Sequence, residues 1–313
     1  MSGWIICLVL VFKLNSVPDD EADEIRELLY QQQDNVLSKI PWENEGFNCV
    51  KAFEDPDFLK LQESVKTIII DALKTNNVAA DHKSFDLKDY HNYVTTDALH
   101  NQVISITRSL ETSDFDFDID LLAKRFGNIL GYKLTSYVEE LKKSHIQIRI
   151  SRPNSLDINP PHRDGYLSFW EDIVNVWLPI AGCNEKSSLP VVAKSHLIPE
   201  NEILRTESKG AKINGNIYNV PCILETKSGE IKMTRPNPKE GEALLFSPFL
   251  IHGAAVNENE NITRVSLELR FPKQKKAIFI VILFHLSVKR KHFQKTYFRQ
   301  ENIMKKDLQI LTA

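Results

Sequence analysis

"HIQIRIS", residues 145 to 151, alternates strictly between apolar and polar side chains. It marks the point where the periodicity of the chain changes from 3.6 to 2. A period of two sends successive side chains to opposite faces of a strand, so Ile146, Ile148 and Ile150 read as a buried face and Gln147 and Arg149 as a polar one. Either polar residue could contact a substrate or co-substrate.

Upstream of this switch the chain reads as helix. "SVPDDEADEIRELLYQQQ" (16–33) opens with a Ser, a Pro and a group of acids, which suits the positive end of a helix dipole, and then places Ile25, Leu28 and Leu29 at helical spacing. "DPDFLKLQESVKTIIIDALKT" (55–75) and "DIDLLAKRFGNILGYKLTSYVEELKK" (118–143) follow the same period. Downstream the signals are those of strands. "IVNVWLPI" (173–180) is a β-branched run, and "AKINGNIYNVPCIL" and "ETKSGEIKMT" (211–234) contain Asn-Gly and Ser-Gly hairpin turns. "GEALLFSPFLIHGAAV" (241–256) and "TRVSLELRF" (263–271) complete the strand-rich half. Helices first and strands afterwards predict an α+β domain, with helices packed on one outer face of a β-sandwich or barrel. The expected organisation is a single domain over 1–272, helix-rich at 17–144 and β at 145–272, followed by a tail at 273–313.

The bulk properties limit the function classes. A chain of 313 residues that is 42% hydrophobic can bury a sizeable core. Its net charge of −3 is uneven: from Lys273 onward ten basic residues face two acids, which leaves 29 basic and 40 acidic residues, or −11, in the first 272. An acidic body argues against a nucleic-acid enzyme, whose phosphate contacts need a basic surface. The basic tail, with its apolar run "AIFIVILFHLSV" (277–288), reads as a solvated appendage, with a segment lying on an anionic membrane surface as the alternative. Twelve residues are too few to span a bilayer as a helix. Cys7, Cys49, Cys183 and Cys222 lie far apart with no C-x-x-C pair. That pattern indicates neither a structural zinc site nor a disulfide framework, and it fits a reducing cytoplasmic compartment. The apolar start "WIICLVLVF" (4–12) lacks a basic flank and a small-residue cleavage site, so it reads as a buried strand rather than a signal peptide.

The chemistry gathers around "NPPHRDGYLSFW" (159–170). A kinase catalytic loop would need Asn five residues after the Asp of H-R-D, and that position is Phe169; no G-x-G-x-x-G loop precedes it. A polar turn behind Pro-Pro is the simplest reading of His162 and Asp164 taken alone. On a strand or its immediate end, however, residues i and i+2 project from one face and can reach one ion. His252 in "FLIHGAAV" is the best third ligand, because a lone imidazole in an apolar strand otherwise needs a buried partner. Two imidazoles and a carboxylate form the facial triad that holds Fe(II) and leaves positions open. Twelve residues after His252, Arg264 and Ser266 share a strand face and form a fork able to grip a carboxylate. A strand-face ion pair between Arg264 and Glu268 is the alternative. Arg270 on the same face is a rival anchor without a hydroxyl two residues on, and His196 in "KSHL" reads as structural.

These pieces together resemble the phytanoyl-CoA dioxygenase family of Fe(II)/2-oxoglutarate oxygenases. The matching segments are "HRDGY", "NVWLPI", "SSLPVVAKSHL", "LLFSPFLIHGAAVN" and "TRVSLELRF", in that order, within roughly 145–272. The resemblance implies a double-stranded β-helix, or jelly roll, with the N-terminal helices on its outer face. It also implies iron held by His162, Asp164 and His252, the distal carboxylate of 2-oxoglutarate held by Arg264 with Ser266, and Trp177 lining the same pocket. The family's reaction uses O2 to decarboxylate 2-oxoglutarate to succinate and CO2 while oxidising an unactivated C–H bond of a small molecule. Ala193-Lys194 stands where the family shows Pro-Gly, and Lys186-Ser187-Ser188 where it shows Asn-Gly. These departures bear on the loop beside the site more than on the metal. Two alternatives remain: another oxidation on the same iron, such as desaturation or epimerisation, or a β-helix scaffold that has lost turnover. A halogenase would need Asp164 replaced by a small residue. The identity of the substrate is not written in the sequence.

Overall fold

The described helices show the end signals that helix chemistry favours. Helix α1 (Asp55–Thr75) has Asp55, Pro56 and Asp57 in its first turn and Lys74 in its last, which complements the helix dipole. Phe58, Leu61, Val65, Ile69 and Leu73, three and four residues apart, form its buried face. Helix α2 (Asp97–Thr107) is capped by the Thr96 hydroxyl, which accepts from the Leu99 amide. Helix α3 (Ile119–Leu130) is capped by Asp118, which accepts from the amides of Asp120 and Leu121. The expected continuation of α3 to residue 143 does not occur. Gly131 takes a left-handed conformation (φ 74°) and ends the helix, and Tyr137–Val138 then pairs with Lys143–Ser144 as a short ribbon.

The computed structural model describes residues 10–11, 44–155, 159–206, 211–213, 216–218, 220–229, 231–253 and 255–274, all within a unit that ends at Gln274. The helix expected over 16–33 and the apolar run 277–288 lie outside the described residues, as does most of "WIICLVLVF"; of that stretch, Leu10–Val11 forms a strand against Lys232–Met233. No helix among the described residues is long and apolar enough to cross a membrane.

The period-2 segments build a five-stranded antiparallel sheet. Its strands are β1 (Phe47–Lys51), β2 (Ile146–Ser151), β3 (Ile173–Ala181), β6 (Glu242–Phe246) and β7 (Arg264–Pro272), in the order β1-β6-β3-β7-β2. Strand β1 comes from the half of the chain that reads as helical, and it supplies the edge. One face of the sheet is apolar: Ile146, Ile148, Ile150, Val174, Val176, Leu178, Val265, Leu267, Leu269 and Phe271 share a single buried cluster with the helices. Each fully buried aliphatic or Phe side chain contributes about 1.5–3 kcal/mol, so this layer is what holds the helices in place. Register then fixes the other face, because Arg270 lies opposite Asn175, Glu268 opposite Trp177, and Ser266 opposite Pro179 and Arg149. A slip of one residue would exchange the two faces.

A second, more fragmentary sheet lies across that polar face. Strand β4 (Ile203–Arg205) pairs with β5 (Ile223–Thr226), the Ile223 amide donates to the Pro161 carbonyl, and His162 and His252 exchange both backbone bonds (2.9 and 3.1 Å). Val191 continues the ladder to His252 and Thr234. The Asn-Gly hairpin is present, with Ala211–Ile213 against Asn216–Tyr218. The Ser-Gly turn brings Thr226 to Gly229, but the strands on either side of it pair elsewhere. Two such sheets with helices on one outer face make an α+β double-stranded β-helix, as the sequence predicts.

The segment at 193–206 is anchored by buried charge. Arg163 donates to Glu200 (3.1 Å) and to the carbonyls of Ser195 and Ile198, and Arg205 donates to the other Glu200 oxygen at 2.7 Å. At its start, Lys194 is left-handed (φ 65°). That conformation disfavours a side chain with a Cβ and explains why the family pattern carries glycine there. Lys194→Gly should stabilise the fold by up to about 1 kcal/mol in urea denaturation, since the Lys194–Glu45 pair it removes (3.4 Å) is exposed and worth little.

Candidate metal centre

His162 and His252 are 90 residues apart in the chain, with Asp164 beside the first, yet each of the three offers a ligand atom within 4.8 Å of the others, and all three are buried. The local chain explains the pairing. Arg163 is extended (φ −115°, ψ 132°), so His162 and Asp164 project to one side and the Arg163 side chain to the other, toward Glu200. Asp164 is not itself on a strand; it opens the short turn Asp164–Tyr166. His252 arrives through its backbone ladder with His162. Two glycines permit the approach: a Cβ on Gly165 would come within 2.7 Å of the Phe249 ring, and one on Gly253 within 2.9 Å of the Asn159 and Pro160 carbonyls.

Both imidazoles are oriented alike. His162 Nδ1 lies 2.8 Å from the Pro160 carbonyl and His252 Nδ1 2.9 Å from that of Leu250. A carbonyl only accepts, so Nδ1 donates in each ring, and in the neutral ring the lone pair is then on Nε2. His252 Nε2 faces Asp164 Oδ2 at 3.5 Å. Burial first, then the neighbouring His162, pushes the His252 pKa down to about 4, which keeps the ring neutral and ready to ligate at neutral pH. Burial alone would raise the Asp164 carboxyl. The Arg270 guanidinium and the two imidazoles outweigh it and hold the group well below the usual carboxylate range. Oδ1 accepts from Arg270 Nη2 at 2.9 Å, while Oδ2 is buried without a hydrogen-bond partner among the described residues. Two imidazole nitrogens and an anionic oxygen with an unused lone pair are the donor set that suits a divalent iron.

Arg264 and Ser266 sit on the same sheet face, bonded to each other (Nη1 to Oγ, 2.6 Å), with the guanidinium 5.7 Å over the Trp177 ring. Arg264 is 4% exposed, its Nε has no hydrogen-bond partner among the described residues, and burial lowers its pKa to about 10. Among the described residues it makes no ion pair within 4.0 Å. Glu268, its rival partner in the sequence, pairs instead with Arg149 at 2.8 Å. Burial pushes the Glu268 carboxyl up, but Arg149 and Arg270 bring it down to about 2. Gln147 Oε1 is buried and has no hydrogen-bond partner among the described residues. His196 is buried outside the ligand cluster, against Gly46. The sequence reading missed the partner of Arg270, which is Asp164 rather than a co-substrate. It also missed His145, which meets Arg270 through Nε2 and is kept neutral, at about 3, first by burial and then by that arginine. Alternation along "TRVSLELRF" could place Arg270 on the site face, but nothing local could point to a carboxylate 106 residues away.

A double-stranded β-helix on which two imidazoles and a carboxylate converge carries the donor set that suits a non-haem iron oxidoreductase. The sequence pattern of the phytanoyl-CoA dioxygenase (PhyH) family matches residues 42–265, and the chain belongs to that family. Its cofactor is accordingly Fe(II), with 2-oxoglutarate and O2 as co-substrates. No curated protein matches the chain in sequence. Among solved structures it is similar to EctD from S. alaskensis (14% identity over 78% of this chain and 80% of that one, TM-score 0.43). It is also similar to AviO1 from Streptomyces viridochromogenes Tue57 (11%, 74% and 90%, 0.43). A third is SnoN, a non-heme alpha ketoglutarate dependent epimerase from nogalamycin biosynthesis (11%, 74% and 79%, 0.41).

Proposed function

We propose that the protein is an Fe(II)/2-oxoglutarate-dependent dioxygenase that hydroxylates a small molecule while 2-oxoglutarate is decarboxylated to succinate and CO2. In this reading His162, Asp164 and His252 hold the iron, Arg264 with Ser266 binds the distal carboxylate of 2-oxoglutarate, and Trp177 lines the pocket between them. Residues 1–272 then act as one oxygenase domain and 273–313 as an appended tail.

The observation that carries the proposal is the convergence of three buried ligand atoms in a fold that also holds the buried Arg264 guanidinium, which makes no ion pair within 4.0 Å among the described residues. An uncompensated buried cation is costly and is retained where a ligand supplies the missing charge. The iron, when bound, supplies the redox chemistry. The chain's own part is to present three donors in fixed tautomers, to orient the co-substrate carboxylate with Arg264 and Ser266, and to keep water away with Trp177, Leu244, Phe246 and Val191, which form an apolar cluster.

The test is co-substrate turnover. Purified protein loaded anaerobically with Fe(II), then given 2-oxoglutarate and O2, is expected to release succinate even without substrate, and a chelator is expected to stop it. If no succinate forms and neither Fe(II) nor 2-oxoglutarate binds by spectroscopy, the oxygenase reading is wrong and a scaffold role replaces it.

A further inference from the structure

Arg270 is the charged group that touches the ligand cluster without being one of its donors. It is 8% exposed and is held from three directions. Its Nη1 meets His145 Nε2, its guanidinium lies 5.2 Å over the Trp170 ring, and Glu268 stands two residues away on the same strand face, itself fixed by Arg149 at 2.8 Å. From this position Nη2 reaches Asp164 Oδ1 at 2.9 Å. Arg149, Glu268 and Arg270 therefore alternate in sign along one face of the sheet, and the row continues to Asp164, the carboxylate beside the two imidazoles.

Taking Asp164 as an iron ligand, we propose that Arg270 is a positioning residue that occupies Oδ1 so that Asp164 offers the metal a single oxygen, Oδ2. The consequence is a count of open positions. A carboxylate free to swing could bind through both oxygens and take up a position that 2-oxoglutarate or O2 needs. A guanidinium fixed on one oxygen prevents this, as partners behind metal ligands do generally. The unpaired state of Oδ2, in a carboxylate whose other oxygen is satisfied, is what such a division of labour leaves behind. His145 takes part because it accepts from the other guanidinium nitrogen and so sets the plane of the fork.

The experiment titrates the full apo chain with Co(II), following its visible ligand-field bands, for wild type, Arg270→Met, Arg270→Lys and Asp164→Asn, with melting temperature as the check of folding. Arg270→Met is expected to weaken Co(II) binding about 10- to 100-fold and to shift the bands, since Asp164 is no longer held to one oxygen. Arg270→Lys keeps the charge but has one nitrogen for two partners, and is expected to recover part of the affinity. Wild-type affinity and bands in a folded Arg270→Met would overturn the proposal and leave Asp164 a ligand. Should that variant not fold, unchanged affinity and bands in Arg270→Lys would overturn it equally. Wild-type affinity in Asp164→Asn would remove the ligand reading on which the proposal rests.

Discussion

Asp164→Asn is expected to abolish succinate formation and to weaken Fe(II) or Co(II) binding by more than about 100-fold, beyond the 10- to 100-fold effect of removing a supporting partner, while the protein stays folded. The reason lies in how the two carboxylate oxygens are used. Oδ1 accepts from Arg270, so the amide of an Asn would turn its carbonyl oxygen to the guanidinium and keep that bond. Its NH2 would then take the place of Oδ2, where it offers two donors and no lone pair to a cation. The substitution keeps shape and volume, and Arg270 retains Glu268 as a counter-charge, so the expected change in melting temperature is only a few degrees. Tight metal binding with wild-type turnover in this variant would show that Asp164 does not ligate iron.

Arg264→Leu should produce two effects of opposite direction. The affinity for 2-oxoglutarate should fall by about 2–5 kcal/mol, roughly 30- to 4,000-fold, the range for removing one partner of a buried hydrogen-bonded charge pair. The apo variant should melt no lower than wild type, because the side chain removed is a buried cation without an anion within 4.0 Å among the described residues. Burial already lowers its pKa to about 10, a direct sign that the site disfavours the charge. Linkage separates this from a general loss of structure: 2-oxoglutarate with a redox-inert metal should raise the melting temperature of wild type in proportion to its binding and leave Arg264→Leu almost unmoved. An apo variant that melts far below wild type would mean that Arg264 is part of the fold and not a receptor.

Much of this was legible along the chain. Strict alternation in "HIQIRIS" and "TRVSLELRF" sets which side chains face the helices and which face the site, because a strand's period is two wherever it pairs. The length of α1 and the acids and proline of its first turn are local properties, and the Asn-Gly hairpin is a turn preference. The candidate ligands could be named because residue type, order and spacing are enough to match a family pattern. Helix α3 was overread because apolar spacing continues past Gly131, while the left-handed conformation that ends the helix is a single-residue event. Strand β1 was missed because "FNCVK" is short and half-buried, and it becomes a strand only by pairing with β6.

The sequence by itself determined the two periodicities, the helix caps, the face on which Arg264, Ser266, Glu268 and Arg270 lie, and the donor types available to a metal. Tertiary structure alone decided who pairs with whom on that face. Arg270 could have served as the carboxylate anchor and Glu268 as the partner of Arg264; instead Arg270 takes Asp164, Glu268 takes Arg149, and Arg264 makes no ion pair within 4.0 Å among the described residues. Which charges neutralise one another inside a protein depends on distances of 3 to 4 Å between segments a hundred residues apart, where burial strengthens each interaction and makes each missing partner expensive. Periodicity holds no information about those distances.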